Sequence, residues 1–148
     1  RTTAAVMMGL AVNKEKTGPA VPKVAFVTGP KYYIAMNGSE VKAVNVDLVA
    51  RTKALSVMHK AYAVTGGICM ATAALIEGTV VNEIVGDHAK RTGTVRLGHP
   101  SGTLDFDISL EKLATGGWNL SKAGVSRTAK PIMDGYVYVS RRVFNQQQ

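Results

Sequence analysis

An alanine-rich apolar segment, residues 68–78 (ICMATAALIEG), is the feature that most constrains how this chain can fold. Its side chains are small and almost all apolar, so a helix built from them needs other backbone packed closely around it. Thr65, Gly66 and Gly67 come just before it, and Gly78 ends it. The sequence therefore predicts one central, buried helix with the rest of the chain arranged around it.

From Gly93 onward, apolar residues recur at alternate positions, which is typical of half-buried strands. Turns that contain glycine, at residues 98–102, 116–117 and 134–135, separate the apolar runs. The apolar positions are Val95, Leu97, Leu104, Phe106, Ile108, Trp118, Leu120, Ile132, Tyr136 and Tyr138. The pattern predicts an antiparallel meander over the last third of the chain, and together with the central helix it indicates the α+β class.

Two more strands and a turn are predicted nearer the start of the chain. Residues 23–28 (KVAFVT) are short, β-branched and bounded by proline and glycine, which favours a strand. Residues 32–35 form a second extended piece, and Asn37-Gly38 marks the turn that follows it.

The segment 48–58 (LVARTKALSVM) has the spacing of an amphipathic helix. Asp47 stands just before it, where a carboxylate can cap a helix N-terminus. Positions i, i+3, i+7 and i+10 of the segment are occupied by Leu48, Arg51, Leu55 and Met58. We therefore predict a helix here.

The ends of the chain suggest how it is divided into domains. Residues 1–10 resemble the last turns of a helix, and residues 13–22 (NKEKTGPAVP) have the composition of an exposed connector. We expect residues 1–22 to be the end of a helix and a connector from an N-terminal domain that this chain lacks. Residues 23–140 are then one domain, and residues 141–148 a frayed tail.

Composition excludes several classes of protein. The chain has one cysteine, Cys69, and no cluster of cysteines and histidines, which argues against a disulfide scaffold and against a metal site. The longest apolar stretch, residues 61–76, is interrupted by threonines and glycines, so no membrane span is expected. The 18 Lys and Arg outnumber the 10 Asp and Glu, and the net charge of +8 favours anionic partners. Because the basic residues are dispersed, nucleic acid is not the partner we expect.

The strongest local motif is residues 96–104 (RLGHPSGTL), and two interpretations of it are open. It is a plain hairpin connection if glycine and proline serve only to turn the chain. It is an anion-binding turn if backbone N–H groups, the His99 imidazole and the hydroxyls of Ser101 and Thr103 converge on a carboxylate.

Two other features have the same ambiguity. Thr65-Gly66-Gly67 either presents free N–H groups to an anion at a helix N-terminus, or supplies glycines for close packing or a bend. Lys60, next to His59, either pairs with an anion or belongs to a solvated helix end.

Two further residues are predicted to have no catalytic role. Cys69 lies between Ile68 and Met70 in the alanine-rich segment, so we interpret it as a small buried hydrophobe. His88 is interpreted as a loop residue without metal-binding partners.

Taken together, six segments resemble the C-terminal half of the 2-methylaconitate cis-trans isomerase family, over nearly the whole chain. The most specific parts of the resemblance are GHPSGT at residues 98–103, the Arg-Thr-Ala step at 127–129 and the Met-Asp-Gly turn at 133–135. The segments are RTTAAVMMGLAV, PKVAFVTGP, VDLVARTKALSVMHKAYAVTGG, ATAALIEGTVVN, VRLGHPSGTLDF and SRTAKPIMDGYVYV.

The resemblance implies a diaminopimelate-epimerase-like fold, in which an antiparallel, barrel-like sheet wraps around a central apolar helix. It also implies a cytoplasmic enzyme that needs no cofactor or metal and moves a proton within an unsaturated di- or tricarboxylate, such as methylaconitate, aconitate or oxalomesaconate. The active site of such an enzyme lies in the cleft between two domains, and its main acid and base residues belong to the N-terminal half.

Carried over by position, the resemblance assigns no catalytic residue to this chain. Val64 stands where the related epimerases have a catalytic cysteine. The residues expected to contact the carboxylate substrate are Lys60, Thr65, Gly66, Gly67, His99, Ser101, Gly102 and Thr103. The expected partners are the small-molecule carboxylate and the N-terminal domain, with a homo-oligomer as a further option. The alternative is a non-catalytic anion-binding or interaction module that retains the fold.

Overall fold

A computed structural model describes residues 1–54 and 57–144 of the chain. The described residues contain five α-helices, eight strands and one 3₁₀ turn (Ala43–Asn45). In chain order they are α1 (Thr2–Met7), β1 (Val24–Thr28), β2 (Tyr33–Ile34), β3 (Glu40–Val41), β4 (Leu48–Ala54), β5 (Val57–Met58), α2 (Val64–Leu75), α3 (Val80–Ile84), α4 (Asp87–Thr92), β6 (Thr94–His99), β7 (Gly102–Lys112), β8 (Trp118–Val125) and α5 (Arg141–Phe144).

Six of the strands form one sheet. Its order is β1-β4-β6-β7-β8, and the short β5 pairs with β4. All neighbours are antiparallel except β4 and β6, which run parallel with Leu48 opposite Leu97. A parallel pair needs a crossover connection, and here α2, α3 and α4 all lie within it. Within the described residues β1 and β8 are the edges of the sheet, and β2 and β3 form a separate hairpin.

The main core lies between the sheet and the helices. Helix α2 packs against β6, β7 and β8 on one side and against α3 and α4 on the other. Leu48, Leu97 and Phe106 from three strands are fully buried there, beside Ala71 and Ala74 of the helix. The predicted α+β architecture is therefore confirmed. Helix α2 lies against the sheet, but it is not buried on most sides as predicted, because only Gly67, Ala71 and Ala74 of the helix are buried.

The other side of the sheet is covered by the β2–β3 hairpin. A second, smaller core contains Ala35, Val41, Val46 and Val49, with Tyr33 packed against it. Strand β4 is thus covered on both faces, because Leu48 and Ala50 contact the helices while Val49 contacts the hairpin.

The helix predicted for residues 48–58 is wrong: the chain forms β4 and β5 there, and Leu55 lies outside the described residues. Strands β1 and β6 supply hydrogen-bond partners on both sides of β4. A strand that is buried on both faces has no strict apolar alternation, so its sequence is easily mistaken for another element. Asp47 does not cap a helix but is buried in an ion pair, described below.

The predicted meander is confirmed as far as β8, but the strand expected around residues 132–138 is absent from the described structure. Ile132 is 98%, Tyr136 97% and Tyr138 99% exposed, so these side chains have no core to pack against. Alternating apolar residues form a strand only where another strand is available to pair with them. The described part of the expected C-terminal tail forms the single turn α5.

Cys69 is exposed, so its interpretation as a buried hydrophobe is wrong. Helix α2 buries only the face that carries Gly67, Ala71 and Ala74, spaced at i, i+4 and i+7. At 100° per residue, Cys69 lies about 160° away from that face. His88 lies on α4 and not in a loop. No helix among the described residues is long and apolar enough to cross a bilayer.

Candidate functional site

The GHPSGT motif forms the connection between β6 and β7. His99 and Gly102 are the last paired residues of the two strands, which leaves Pro100-Ser101 as a two-residue turn. Gly102 has a φ of +130°, a backbone conformation that residues with a Cβ rarely adopt. The motif therefore forms a β-hairpin turn, and the glycine is needed for the backbone to turn in this way.

Three hydrogen bonds to two other parts of the chain hold this turn in place. The Ser101 hydroxyl donates to the Lys60 carbonyl at 2.5 Å, and the Tyr33 hydroxyl donates to the Gly102 carbonyl at 2.5 Å. The Met36 N–H donates to the Pro100 carbonyl at 2.7 Å. The turn is thus tied to the loop before α2 and to the β2–β3 hairpin.

His99 is the most buried polar side chain of the turn, with 6% of its surface exposed. Burial lowers its pKa, the Arg51 and His59 charges lower it further, and the Thr103 backbone opposes the shift. The Ser101 N–H donates to His99 Nδ1 at 3.2 Å, so the neutral ring carries its proton on Nε2. His99 is therefore suited to stay neutral near pH 7.

The start of α2 supplies a second set of donors. The helix begins after Ala63 without a side-chain cap, so its first N–H groups, including those of Thr65 and Gly66, have no partner within the helix. Thr65 is exposed and Gly66 half-buried. The positive end of the helix dipole adds to the attraction for an anion.

Gly67 has a packing function. Its N–H already donates to the Ala63 carbonyl at 2.8 Å. A Cβ at this position would lie 2.1 Å from Cζ of the buried Phe106 ring, well inside contact distance. The close approach of α2 to β7 therefore requires glycine.

One hydrogen bond connects the predicted residues of the turn with those before α2. The loop of residues 59–63 leads from β5 into α2, and the bond from Ser101 to Lys60 joins that loop to the turn. The Lys60 side chain is exposed, as is Thr103, which pairs with Gly98 near the start of β7.

Arg51 and Tyr33 belong to this region and were not found from the sequence. The Arg51 guanidinium lies 4.9 Å from the centre of the Tyr33 ring and donates to the carbonyls of Ala50 at 2.8 Å and Gly98 at 3.4 Å. Its position depends on the parallel pairing of β4 with β6, for which no local sequence signal exists. Burial raises the pKa of Tyr33, and Arg51 opposes that shift.

A small cavity of about 220 Å³ lies beside the start of α2, between the helix and strands β1 and β4. Its wall is largely apolar and includes Tyr62, Met70 and Val81, with His59 and Cys69 among the polar groups. The exposed Cys69 thiol therefore lines this cavity and is not part of the turn.

A separate polar cluster lies below the turn, where β4 and β6 begin. Asp47 is only 1% exposed, and its carboxylate accepts from the Arg96 backbone N–H at 2.8 Å and from Arg96 Nε and Nη2 at 2.9 and 2.8 Å. His88 Nδ1 lies 3.2 Å from Asp47 Oδ1. Burial alone would raise the pKa of Asp47, but the Arg96 hydrogen bonds hold it below its ordinary value. This cluster connects the starts of β4, β6 and α4, and both oxygens of the Asp47 carboxylate accept hydrogen bonds from within the protein.

The described residues contain no group of three His, Cys, Asp or Glu side chains placed to hold a metal ion. The turn region instead combines N–H donors with the basic side chains Arg51, His59 and Lys60. Such a set of donors and cations has the chemistry to bind an anionic oxygen, and it lies beside the start of α2.

Comparison with known proteins identifies the family. The family model described as PrpF protein matches residues 1–140, and the chain belongs to this family. The resemblance indicated by the sequence motifs is thereby confirmed.

The chain is similar to several proteins named as isomerases. The chain is 38% identical over 145 residues to 3-methylitaconate isomerase of Eubacterium barkeri, which covers 95% of this chain and 37% of that protein. It is 37% identical over 143 residues to 2-methyl-aconitate isomerase of Shewanella oneidensis, covering 95% and 35%. The crystal structure of methylitaconate-delta-isomerase superimposes with a TM-score of 0.73 at 36% identity, covering 96% of this chain and 36% of that one. The chain thus spans a little over a third of the length of these relatives.

Proposed function

We propose that this chain forms one wall of the substrate cleft in a cofactor-independent isomerase, which shifts a proton within an unsaturated di- or tricarboxylate such as methylaconitate, aconitate or oxalomesaconate. The observation that carries the proposal is the bond from the Ser101 hydroxyl to the Lys60 carbonyl. Because of this bond, the GHPSGT turn and the uncapped start of α2 belong to one surface.

The residues of this wall divide into those that contact the substrate and those that shape the surface. In the proposal, the first N–H groups of α2 (those of Val64, Thr65 and Gly66), the Lys60 ammonium and the Thr103 hydroxyl bind a carboxylate, because each is exposed or lacks a partner within the helix. His99 serves as a neutral donor. Ser101, Gly102 and Gly67 keep the turn and the helix in position, since Ser101 uses both its donors within the protein.

A second domain outside this chain would supply the acid and base. A proton shift along an allyl system needs one group to take a proton and another to return it at a different carbon. The identity of this chain to relatives nearly three times as long supports such a partner domain. We propose residues 1–22 as the connector to it, residues 23–140 as the domain described here and residues 141–148 as its tail, in a cytoplasmic enzyme.

The finer fold assignment belongs to the same proposal. We propose that the sheet curves around α2 as in the diaminopimelate-epimerase-like fold. Contacts of α2 with three consecutive strands, β6, β7 and β8, support this curvature.

The helix N-terminus can be tested by a matched pair of variants. Val64→Pro removes one backbone N–H at the first helical position, where proline is tolerated, and Ala63 before it already has the extended backbone (φ −67°, ψ 131°) that proline requires. Val64→Ala keeps the N–H and serves as the control. We expect Val64→Pro to weaken binding of cis-aconitate to the 148-residue chain about tenfold, and Val64→Ala by less than about twofold.

The same chain, assayed alone, should bind aconitate without isomerising it, because one wall cannot place both an acid and a base at the reacting carbons. Turnover by the isolated chain would contradict the proposed division of labour. Binding that is insensitive to Val64→Pro would favour the alternative of a simple anion-binding module, and no binding at all would overturn the proposal.

A further inference from the structure

The segment that follows β8 lies beside the GHPSGT turn. Val125 opposes Phe106 in the β7–β8 pair, and the Ser126 N–H donates to the Asp105 carbonyl at 3.1 Å, so the register continues past the end of the strand. Arg127 and Thr128 therefore run next to the first residues of β7.

A pocket of about 360 Å³ is formed where these two segments meet. We call it the Arg127 pocket, and its lining residues are Thr103, Leu104, Ser126, Arg127 and Thr128. Three of the five carry hydroxyl groups, and Leu104 packs against the main core below them. The pocket thus combines hydroxyl groups with apolar surface in its wall, and one side of it belongs to the packed fold.

Arg127 is the only charged residue that lines the pocket. Within residues 1–54 and 57–144, no carboxylate forms an ion pair with it. A guanidinium group presents a planar fork of N–H donors that matches the two oxygens of a carboxylate. Hydroxyls on the same wall can complete the coordination of such an anion.

Thr103 connects the pocket to the proposed substrate wall. It is the last residue of GHPSGT and at the same time lines the Arg127 pocket. A ligand whose first carboxylate lies at the turn therefore has a second cationic site next to it.

We infer that the Arg127 pocket binds a second carboxylate of the substrate, and that Arg127 makes the site selective for di- and tricarboxylates over monocarboxylates. This inference rests on the proposed function, because it needs the first carboxylate to be held at the turn and the start of α2. The selectivity follows from geometry: a monocarboxylate can occupy one of the two positions but cannot bridge them.

The test compares two ligands and two neutralising substitutions in the whole chain. cis-Aconitate carries three carboxylates and crotonate, also unsaturated, carries one. Arg127→Gln removes the cation from the pocket. Lys130→Gln removes the same charge from an exposed position three residues further on, outside the pocket, and is the matched control.

We expect Arg127→Gln to weaken aconitate binding at least about tenfold and crotonate binding by less than about twofold. Lys130→Gln should change either affinity by less than about twofold, since an exposed charge at a distance is screened. Arg127→Lys should recover part of the loss, because it restores the charge without the planar fork. Affinities follow from NMR titration, and in the wild-type chain aconitate should shift the amide signals of Thr103 and Thr128.

The outcomes separate this inference from the proposed function. Equal effects of Arg127→Gln and Lys130→Gln on aconitate, or equal effects of Arg127→Gln on both ligands, would overturn the role of the pocket. Sensitivity to Val64→Pro without sensitivity to Arg127→Gln would leave the proposed function standing and remove this inference. The reverse pattern would support the pocket and contradict the helix site, and a chain that binds neither ligand would overturn both.

Discussion

The β6–β7 turn and the segment after β8 lie side by side, yet they use their polar groups in opposite ways. In the turn, the Ser101 hydroxyl and N–H both have acceptors within the protein. In the Arg127 pocket, the guanidinium has no ion-pair partner among the described residues. Ser101 thus uses its donors within the protein, while Arg127 carries a charge without an ion-pair partner among these residues, which we propose serves a ligand. Substitutions of Gly67, Gly102 and Ser101 should therefore reduce stability, and substitution of Arg127 should reduce binding.

The largest loss of stability is expected where α2 lies closest to β7. Gly67→Ala places a Cβ 2.1 Å from Phe106 Cζ, and the fully buried ring has little room to move. We expect a loss of about 3 kcal/mol in the free energy of unfolding, measured by urea denaturation. Gly18→Ala, at an exposed position with open space around it, is the control. A Gly67→Ala protein within about 1 kcal/mol of wild type would show that the packing is looser than described.

Gly102→Val is the next strongest test. A β-branched residue at a φ of +130° strains the backbone although nothing lies within 4 Å of the new Cβ. The expected loss of stability is about 2 kcal/mol in the same measurement. Gly135→Val, at an open position without a positive φ, should be nearly neutral. Similar losses for both variants would mean that valine itself, and not the turn geometry, is responsible.

Ser101→Ala removes the hydrogen bond that joins the turn to Lys60. We expect a loss of about 1 kcal/mol of stability, typical of one intramolecular hydrogen bond. Ser140→Ala, at an exposed position, controls for the loss of a hydroxyl. If Ser101→Ala left stability unchanged but weakened aconitate binding, the hydroxyl would serve the ligand directly, and the contrast between turn and pocket would fail.

The buried His99 predicts a pH dependence of stability. Because its folded pKa lies below the value in the unfolded chain, about 6.5, the unfolded state binds more protons as pH falls. The stabilising contribution is complete above that pH and is lost as pH falls toward the folded pKa. His99→Gln should flatten this part of the curve when unfolding is measured between about pH 5 and 8. An unchanged slope in the variant would show that other groups dominate the titration.

Arg127→Gln should have the smallest effect on stability, within about 0.5 kcal/mol of wild type. The residue is exposed and has no ion pair to lose. Thermal or urea unfolding with and without aconitate checks this expectation. A loss comparable to that of Gly67→Ala would mean that Arg127 supports the fold, and the contrast between the two regions would be wrong.

Local sequence patterns were sufficient to predict several elements of the fold. The strand at residues 23–28 corresponds to β1, the small-residue segment to α2, and the alternation after Gly93 to β6, β7 and β8. In α2 and β7 the apolar period matches the face that the element buries.

The wrong or missed predictions have a common physical cause. In each of them the structure of a segment depends on contacts with distant parts of the chain. Residues 48–54 became a strand because β1 and β6 lie on both sides of it. Alternating residues at 132–138 form no strand in the described structure because no other strand lies beside them. Within the site, Arg51 and Tyr33 could not be found because their contacts with the turn require the finished sheet.

The parallel pairing of β4 with β6 determines when the site can exist during folding. The β6–β7 and β7–β8 hairpins need only contacts between neighbouring segments, whereas the Asp47–Arg96 contact joins residues 49 positions apart. Closing so long a loop has an entropic penalty that the local hairpins avoid. The GHPSGT turn can therefore form early and alone, but its bond to Lys60, 41 residues away, needs the crossover helices to be docked. Release of β4 would therefore separate the Lys60 loop from the turn while leaving the β6–β7 hairpin paired.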